Sequence, residues 1–150
     1  MNDIIRACAD TDISMFEQLS ALDKAAVGSE GWSAESFRSE AEKDNGYVLC
    51  ITDDNNEVTA LLSGYSAVGE GDITSVAVAQ KYRRRGLAKM LIDEFERLLP
   101  DDAEEIFLEV RESNAAAIAL YEKCGFERLS VRKNFYDAPR ENAVVMVKRL

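Results

Sequence analysis

The stretch Ile106–Phe126, IFLEVRESNAAAIALYEKCGF, constrains the fold of this chain more than any other. Ile106, Leu108 and Val110 alternate with Phe107, Glu109 and Arg111, the period of a strand whose two faces differ. A polar break follows, then an alanine-rich run that predicts a helix over 114–123, with Gly125 as its C-terminal stop. A strand feeding directly into a helix is a building unit of layered α/β folds. One ionisable residue, Glu109, lies near the strand's end, and one phenol, Tyr121, lies on the helix. A carboxylate and a phenol brought together across such a turn can take a proton from one group and give one to another.

The remaining elements fit the same class. Ile4–Ala9 reads as a strand, and Asp10–Leu22 carries Ile13, Phe16 and Leu19 at helical spacing. Ser33 caps a second helix, Ala34–Lys43. Gly46–Thr52 and Val58–Ser66 flank the polar turn Asp53–Glu57 as a hairpin, and Asp72–Val78 is a further strand. The longest helix is Gly86–Leu99, with Leu87, Met90, Leu91, Phe95 and Leu98 as its apolar stripe, ended by Pro100-Asp101-Asp102. Glu104–Val110, Phe126–Lys133 and Ala143–Leu150 complete a central sheet of about seven strands with about four helices, a mixed α/β fold. The 150 residues fit a single domain, 1–150, with no repeats and no linker.

Composition excludes several kinds of chemistry. The chain has no histidine, which removes Ser-His-Asp and Cys-His catalysis and histidine metal sites. Acid–base work falls to carboxylates, tyrosine, lysine, thiols or water. Cys8, Cys50 and Cys124 are odd in number and widely spaced, so neither a disulfide framework nor a metal site is expected, and no role is assigned to them. No apolar run approaches the ~20 residues of a membrane span, and the N-terminus carries no secretory pattern; a cytoplasmic protein is expected. The net charge of −10 disfavours nucleic acid as a partner. It suits a basic peptide, and equally suits a surface that simply keeps the protein dissolved.

Within this acidic chain lies a basic break, VAVAQKYRRRGLAKM, Val76–Met90. A strand runs into a loop with Arg83, Arg84 and Arg85, and the loop opens the longest helix through Gly86, Leu87, Ala88 and Lys89. Backbone N–H groups at a helix start point at an anion, and glycine lets that anion approach closely. A pyrophosphate suits this geometry; a solvated basic turn with a helix-starting glycine suits the letters equally well. Neither GxGxxG nor GxxxxGK[ST] is present.

At the strand–helix pair, Glu109 shares a face with Phe107, and partial burial is expected to raise its pKa towards that of a useful base. The alternative is a strand-end carboxylate paired with Arg111. Asn114 is a helix cap or a ligand-binding amide. Tyr121 falls in a stripe with Ala117, Leu120 and Cys124, where a plain core tyrosine is the alternative to a catalytic one.

Two of these segments resemble the GNAT N-acetyltransferases. R-x-x-G-x-A at Arg83–Ala88 resembles that family's acetyl-CoA loop, and Leu108–Phe126 resembles its ribosomal-protein-alanine N-acetyltransferase branch. Gly31-Trp32-Ser33, Arg132–Tyr136 and Asn142–Met146 resemble that branch's P-W-S, R-x-N-Y-Y and D-A-[IV]-x-M. The resemblance implies that Val76, Ala77 and Val78 offer backbone groups to the pantetheine arm and thioester. It implies that Arg84 to Lys89 hold the pyrophosphate, with Arg83 also in the cofactor loop, and that Asn114 contacts the cofactor. Glu109 would be the general base, Tyr121 the general acid to the thiolate, and Trp32 and Tyr136 would line the acceptor groove, where packing alone is the other reading.

The implied reaction is direct attack by an α-amine on acetyl-CoA in a ternary complex, without a metal. The implied acceptor is a basic protein N-terminus, the alanine of a small-subunit ribosomal protein, met by a monomer or weak dimer. Transfer to a lysine or small amine, or a CoA-binding module without turnover, are the alternatives. Three positions depart from the family pattern: Gly31 for proline, expected to loosen the turn before Trp32; Phe135 for tyrosine; and Asn142 for aspartate, removing a charge on the acceptor side.

Overall fold

A computed structural model describes residues 3–150. Its elements run β1 (Ile4–Arg6), α1 (Ile13–Val27), α2 (Ala34–Glu42), β2 (Gly46–Thr52), β3 (Val58–Ala67), β4 (Glu70–Val78), α3 (Leu87–Leu98), β5 (Glu105–Arg111), α4 (Ala115–Lys123), β6 (Glu127–Asp137) and β7 (Arg140–Arg149). Seven strands take the order β1-β2-β3-β4-β5-β7-β6, the expected mixed sheet with four helices. β4 and β5 pair in parallel, Glu70–Ile73 against Glu105–Leu108, and β5 then runs antiparallel to β7. Among the described residues no helix is long and apolar enough to cross a membrane.

The chain forms two compact units, residues 1–65 with 74–98, and residues 66–73 with 99–150. In the first, β2 is buried from Gly46 to Ile51 and so needs cover on both faces. Val48 and Cys50 pack with Phe16 and Leu19 of α1 and Phe37 of α2. Tyr47 meets Phe95 of α3 edge-on at 5.4 Å. Burial pushes the Cys50 thiol up to about 11, which suits an inert core cysteine. In the second unit, Ile106, Leu108 and Val110 of β5 are buried as their alternation predicts, with Val144, Met146 and Val147 of β7 also buried.

Several details differ from the sequence reading: β1 ends at Arg6 rather than Ala9, and β4 starts at Glu70 rather than Asp72. α1 starts at Ile13 because Asp12 caps it, its Oδ1 accepting from Ser14 N–H at 3.0 Å. It continues past Leu22 to Val27, because the next buried position is the polar Asp23, invisible to apolar periodicity. On α3 the buried stripe is Leu87, Ala88, Leu91, Ile92 and Phe95, with Met90 and Leu98 only half-buried. β6 and β7 reach to Asp137 and back to Arg140, beyond the expected ends, around a cis Ala138–Pro139 peptide.

That hairpin contains a bulge. Arg132 pairs with Ala143 and Tyr136 with Glu141, so Lys133, Asn134 and Phe135 face Asn142 alone. Asn134 adopts a φ of 53°, and its N–H donates to Asn142 Oδ1 at 2.9 Å. Asn142 therefore shapes the hairpin that carries Phe135 and Tyr136.

The core of the first unit sets a stability expectation. Phe95→Ala leaves a cavity at a fully buried site and is expected to cost about 3–5 kcal/mol, read from the urea midpoint. A loss under about 1 kcal/mol would mean that α3 does not close this core.

Candidate active site

In the first unit, a 3-10 turn at Gln80–Tyr82 hands the chain to the Arg83–Gly86 loop. Arg84 and Gly86 both take positive φ, 65° and 78°, which turns the backbone sharply into α3. The first helical bond there runs from Met90 N–H to Gly86 C=O at 3.0 Å. The N–H groups of the helix's opening turn have no partner within the helix itself. A Cβ added at Gly86 would meet nothing within 4 Å, so open space lies beside this helix start. Leu87 and Ala88 turn their side chains into the core and leave the backbone as what they offer.

The basic side chains of this loop are exposed. Arg83 Nε donates to Val78 C=O at 3.2 Å, tying the loop to the end of β4. Arg85 and Lys81 sit over the Tyr82 ring at 5.2 and 5.3 Å, and Lys89 pairs with Asp93 at 2.7 Å. Ala77 is buried; Val76 and Val78 are half-buried. The structure thus joins Val76–Val78 and Arg83–Lys89 into one continuous strand–loop–helix feature.

Trp32 is half-buried, its ring tilted against Phe37 at 5.3 Å. Gly31 does not loosen the turn before it, contrary to expectation. A Cβ at Gly31 would lie 2.7 Å from Lys24 Cα and N, and Gly31 N–H donates to Gly28 C=O at 2.9 Å. Proline has a Cβ and no N–H, so it would break this close packing against α1.

In the second unit, β5 turns Glu109 outward in register with Val145 of β7. The expected burial of Glu109 is absent, and Arg111 is not its partner. Glu109 is exposed, and Arg132 Nη1 lies 3.2 Å from both of its carboxylate oxygens. The Arg132 guanidinium in turn stacks over Phe135 at 4.5 Å. Arg111 is drawn instead to the hairpin tip, donating to Pro139 C=O at 2.9 Å and to Glu141 at 3.2 Å, and covering the Tyr136 ring at 4.3 Å. The Ser113 hydroxyl and N–H, with the Arg111 guanidinium, hold the Glu141 carboxyl below the usual range. Arg132 and Glu141 were missed because only cross-strand register brings them to β5; no local spacing signals it.

Tyr121 is buried on α4, its ring edge-on to Phe126 at 6.0 Å. Burial, then the neighbouring Tyr136 and Cys124, push its pKa well up, so the phenol keeps its proton at neutral pH. Tyr136 is half-buried and packs edge-on with Phe135 at 5.0 Å. Asn114 Oδ1 accepts from Ala117 N–H at 3.2 Å, so its carbonyl caps α4, as one of its two expected roles required. This unit therefore offers an exposed carboxylate and a buried, protonated phenol on consecutive elements.

The model of the acetyltransferase (GNAT) family matches residues 13–126, across both units. The chain belongs to that family. It is an acetyltransferase, and acetyl-CoA is its co-substrate, as the resemblance implied. The [ribosomal protein bS18]-alanine N-acetyltransferase of Escherichia coli K12 is 33% identical over 118 residues, 77% of this chain and 78% of that protein. An N-alpha-acetyltransferase of Saccharolobus solfataricus is 45% identical over 87 residues, 57% of this chain but only 52% of the relative. The crystal structure of the Escherichia coli ribosomal-protein-S18-alanine N-acetyltransferase superposes with a TM-score of 0.82 at 28% identity, covering 99% of this chain and 94% of that one.

Tyr121 has a consequence for alkaline stability. Its folded pKa lies above the unfolded value of ~10, so the unfolded chain loses that proton first and stability falls as pH rises past ~10. Tyr121→Phe should therefore lose less stability than the wild type between about pH 9 and 11, by thermal denaturation. Identical slopes would show that this phenol is not desolvated.

Proposed function

We propose that this GNAT acetyltransferase moves acetyl from acetyl-CoA to the α-amine of a protein N-terminus, with the N-terminal alanine of a small-subunit ribosomal protein as acceptor. The exposed carboxylate of Glu109 and the buried, protonated phenol of Tyr121, on consecutive elements, carry this reading. The N-alpha-acetyltransferase of Saccharolobus supports the choice of an α-amine, and the ribosomal-protein-alanine N-acetyltransferase of Escherichia coli supports the choice of acceptor protein. The chain's net charge of −10 suits a basic ribosomal tail, and the cytoplasm is where such an acceptor would be met. Residues 1–150 would act as a single catalytic domain.

When bound, acetyl-CoA supplies the thioester. The N–H groups of Arg84 to Lys89 hold the pyrophosphate, with the Arg83–Arg85 charges around them. Backbone groups of Val76–Val78 would hold the pantetheine arm, and a strand N–H there would stabilise negative charge on the thioester oxygen. Asn114 contacts the cofactor. Glu109 takes the excess proton of the acceptor amine, directly or through water, and Tyr121 gives its proton to the departing thiolate. Trp32 and Tyr136 line the acceptor groove.

An α-amine, with a reference pKa of ~7.7–8.0, arrives partly neutral at pH 7. It asks less of a solvent-reached carboxylate than a lysine at ~10.4. Paired basic peptides test this choice by mass spectrometry: one with a free N-terminal alanine and no lysine, one blocked and bearing a single lysine. Label is expected on the first alone; label on the second alone would move the activity to lysine.

Two variants test the roles. Glu109→Gln is expected to lower kcat by roughly a hundredfold or more while acetyl-CoA affinity holds, and an unchanged rate removes Glu109 as base. Gly86→Val places a β-branched side chain at positive φ beside the helix start and should weaken acetyl-CoA binding by calorimetry. Unaltered affinity would move the pyrophosphate elsewhere.

A further inference from the structure

The mechanism gives no task to the buried carboxylate of Asp23. Asp23 lies just before the last turn of α1 and is only 1% exposed. Its Oδ2 accepts from Trp32 N–H at 2.7 Å, and its Oδ1 accepts from the Ser75 hydroxyl in a short bond. A carboxylate withdrawn from water this far is costly unless hydrogen bonds replace its hydration. Here each oxygen has a partner, and the two partners lie on different elements.

Those elements are the ones that matter. Ser75 directly precedes Val76 on β4, and Trp32 stands on the turn between α1 and α2. Other contacts close on the same turn. Ser20, one helical turn before Asp23, donates its hydroxyl to Trp32 C=O at 2.7 Å, so both backbone groups of Trp32 are held by side chains of α1. Gly31 packs against the Lys24 backbone with no room for a Cβ. The Trp32 ring rests on Phe37 of α2.

We propose that Asp23 is a positioning residue for the acceptor amine, holding the Trp32 turn in register with the strand that presents the thioester. This rests on the reading above, in which Trp32 lines the acceptor groove and Val76–Val78 face the thioester. Asp23 itself touches neither substrate. It sets where one wall of the acceptor groove stands relative to the β4 backbone, and near-attack geometry is sensitive to displacements of about an ångström. The missing Cβ at Gly31 belongs to the same device, since a side chain there would push the turn away from α1 and off the Asp23 carboxylate.

Trp32 is the single tryptophan of the chain, so its fluorescence reports this turn without reference to turnover. Asp23→Ala should make Trp32 more quenchable by acrylamide. It should also raise KM for the free-alanine peptide by about tenfold or more, while acetyl-CoA affinity changes less than about twofold. Asp23→Asn should restore both, because its amide oxygen can accept from Trp32 N–H while its NH2 donates to Ser75 Oγ. If Asp23→Ala does not fold, Gly31→Ala serves in its place, with the same quenching and the same peptide KM effect expected.

Unchanged quenching in a folded variant overturns the anchor. Released Trp32 with unchanged peptide kinetics overturns the positioning role. Failure of the wild type to acetylate either peptide, with acetyl-CoA bound, overturns the acceptor reading and this role with it. Wild-type transfer with insensitive variants overturns the role of Asp23 alone.

Discussion

The first unit is organised by the complete burial of β2. Six consecutive residues, Gly46 to Ile51, are shielded from water, and a strand shielded on both faces demands helices on both. α1 and α2 supply one cover through Phe16, Leu19 and Phe37, and α3 supplies the other through Phe95. Once α3 is seated, the chain entering it from β4 has only the Arg83–Gly86 loop in which to turn. The positive φ angles of Arg84 and Gly86 accomplish that turn. The loop is thus a by-product of core packing, and the N–H groups of the turn that opens α3 have no partner within that helix.

The second unit depends on a ladder, β5 to β7 to β6, interrupted by the bulge at Lys133–Phe135. The ladder buries alternate residues of β5 and turns Glu109 and Arg111 to the other face. The bulge then sets which side chains of β6 meet them: Arg132 reaches Glu109, and Arg111 covers Tyr136. Asn142, the position where the family pattern has aspartate, carries this bulge through its bond to Asn134 N–H. An aspartate would keep the acceptor oxygen but replace the amide that faces Glu112 Oε1 at 3.5 Å with a second negative charge. The asparagine therefore belongs to the hairpin's own construction.

Local pattern foresaw what local physics governs. Strand alternation at Ile106–Arg111, the Ser33 cap, the Gly125 stop and the glycine that opens α3 all depend on a few neighbouring residues. So does the basic loop that follows β4. The misjudged ends, at β1, α1, β4 and the β6–β7 hairpin, lie where apolar periodicity stops and hydrogen bonding takes over. The Lys133–Phe135 bulge could not be read from spacing, because a bulge exists only relative to a partner strand. The neighbouring Phe107 suggests burial for Glu109, whereas its exposure is decided by what lies across the sheet.

The sequence by itself determined the mixed α/β class and the glycine-opened start of α3, and its resemblance to known proteins gave the acetyltransferase family. The first two rest on side-chain type and on spacing along one strand or one helix, and the last on motifs spread along the chain, all of which the chain carries in any conformation. Only the tertiary structure decided that Arg132 rather than Arg111 faces Glu109, that burial keeps Tyr121 protonated, and that Asp23 joins Trp32 to Ser75. Arg132 stands 23 positions from Glu109, and Ser75 stands 52 from Asp23. Register, burial and desolvation are properties of the packed chain, and they have no value until the strands and helices have met.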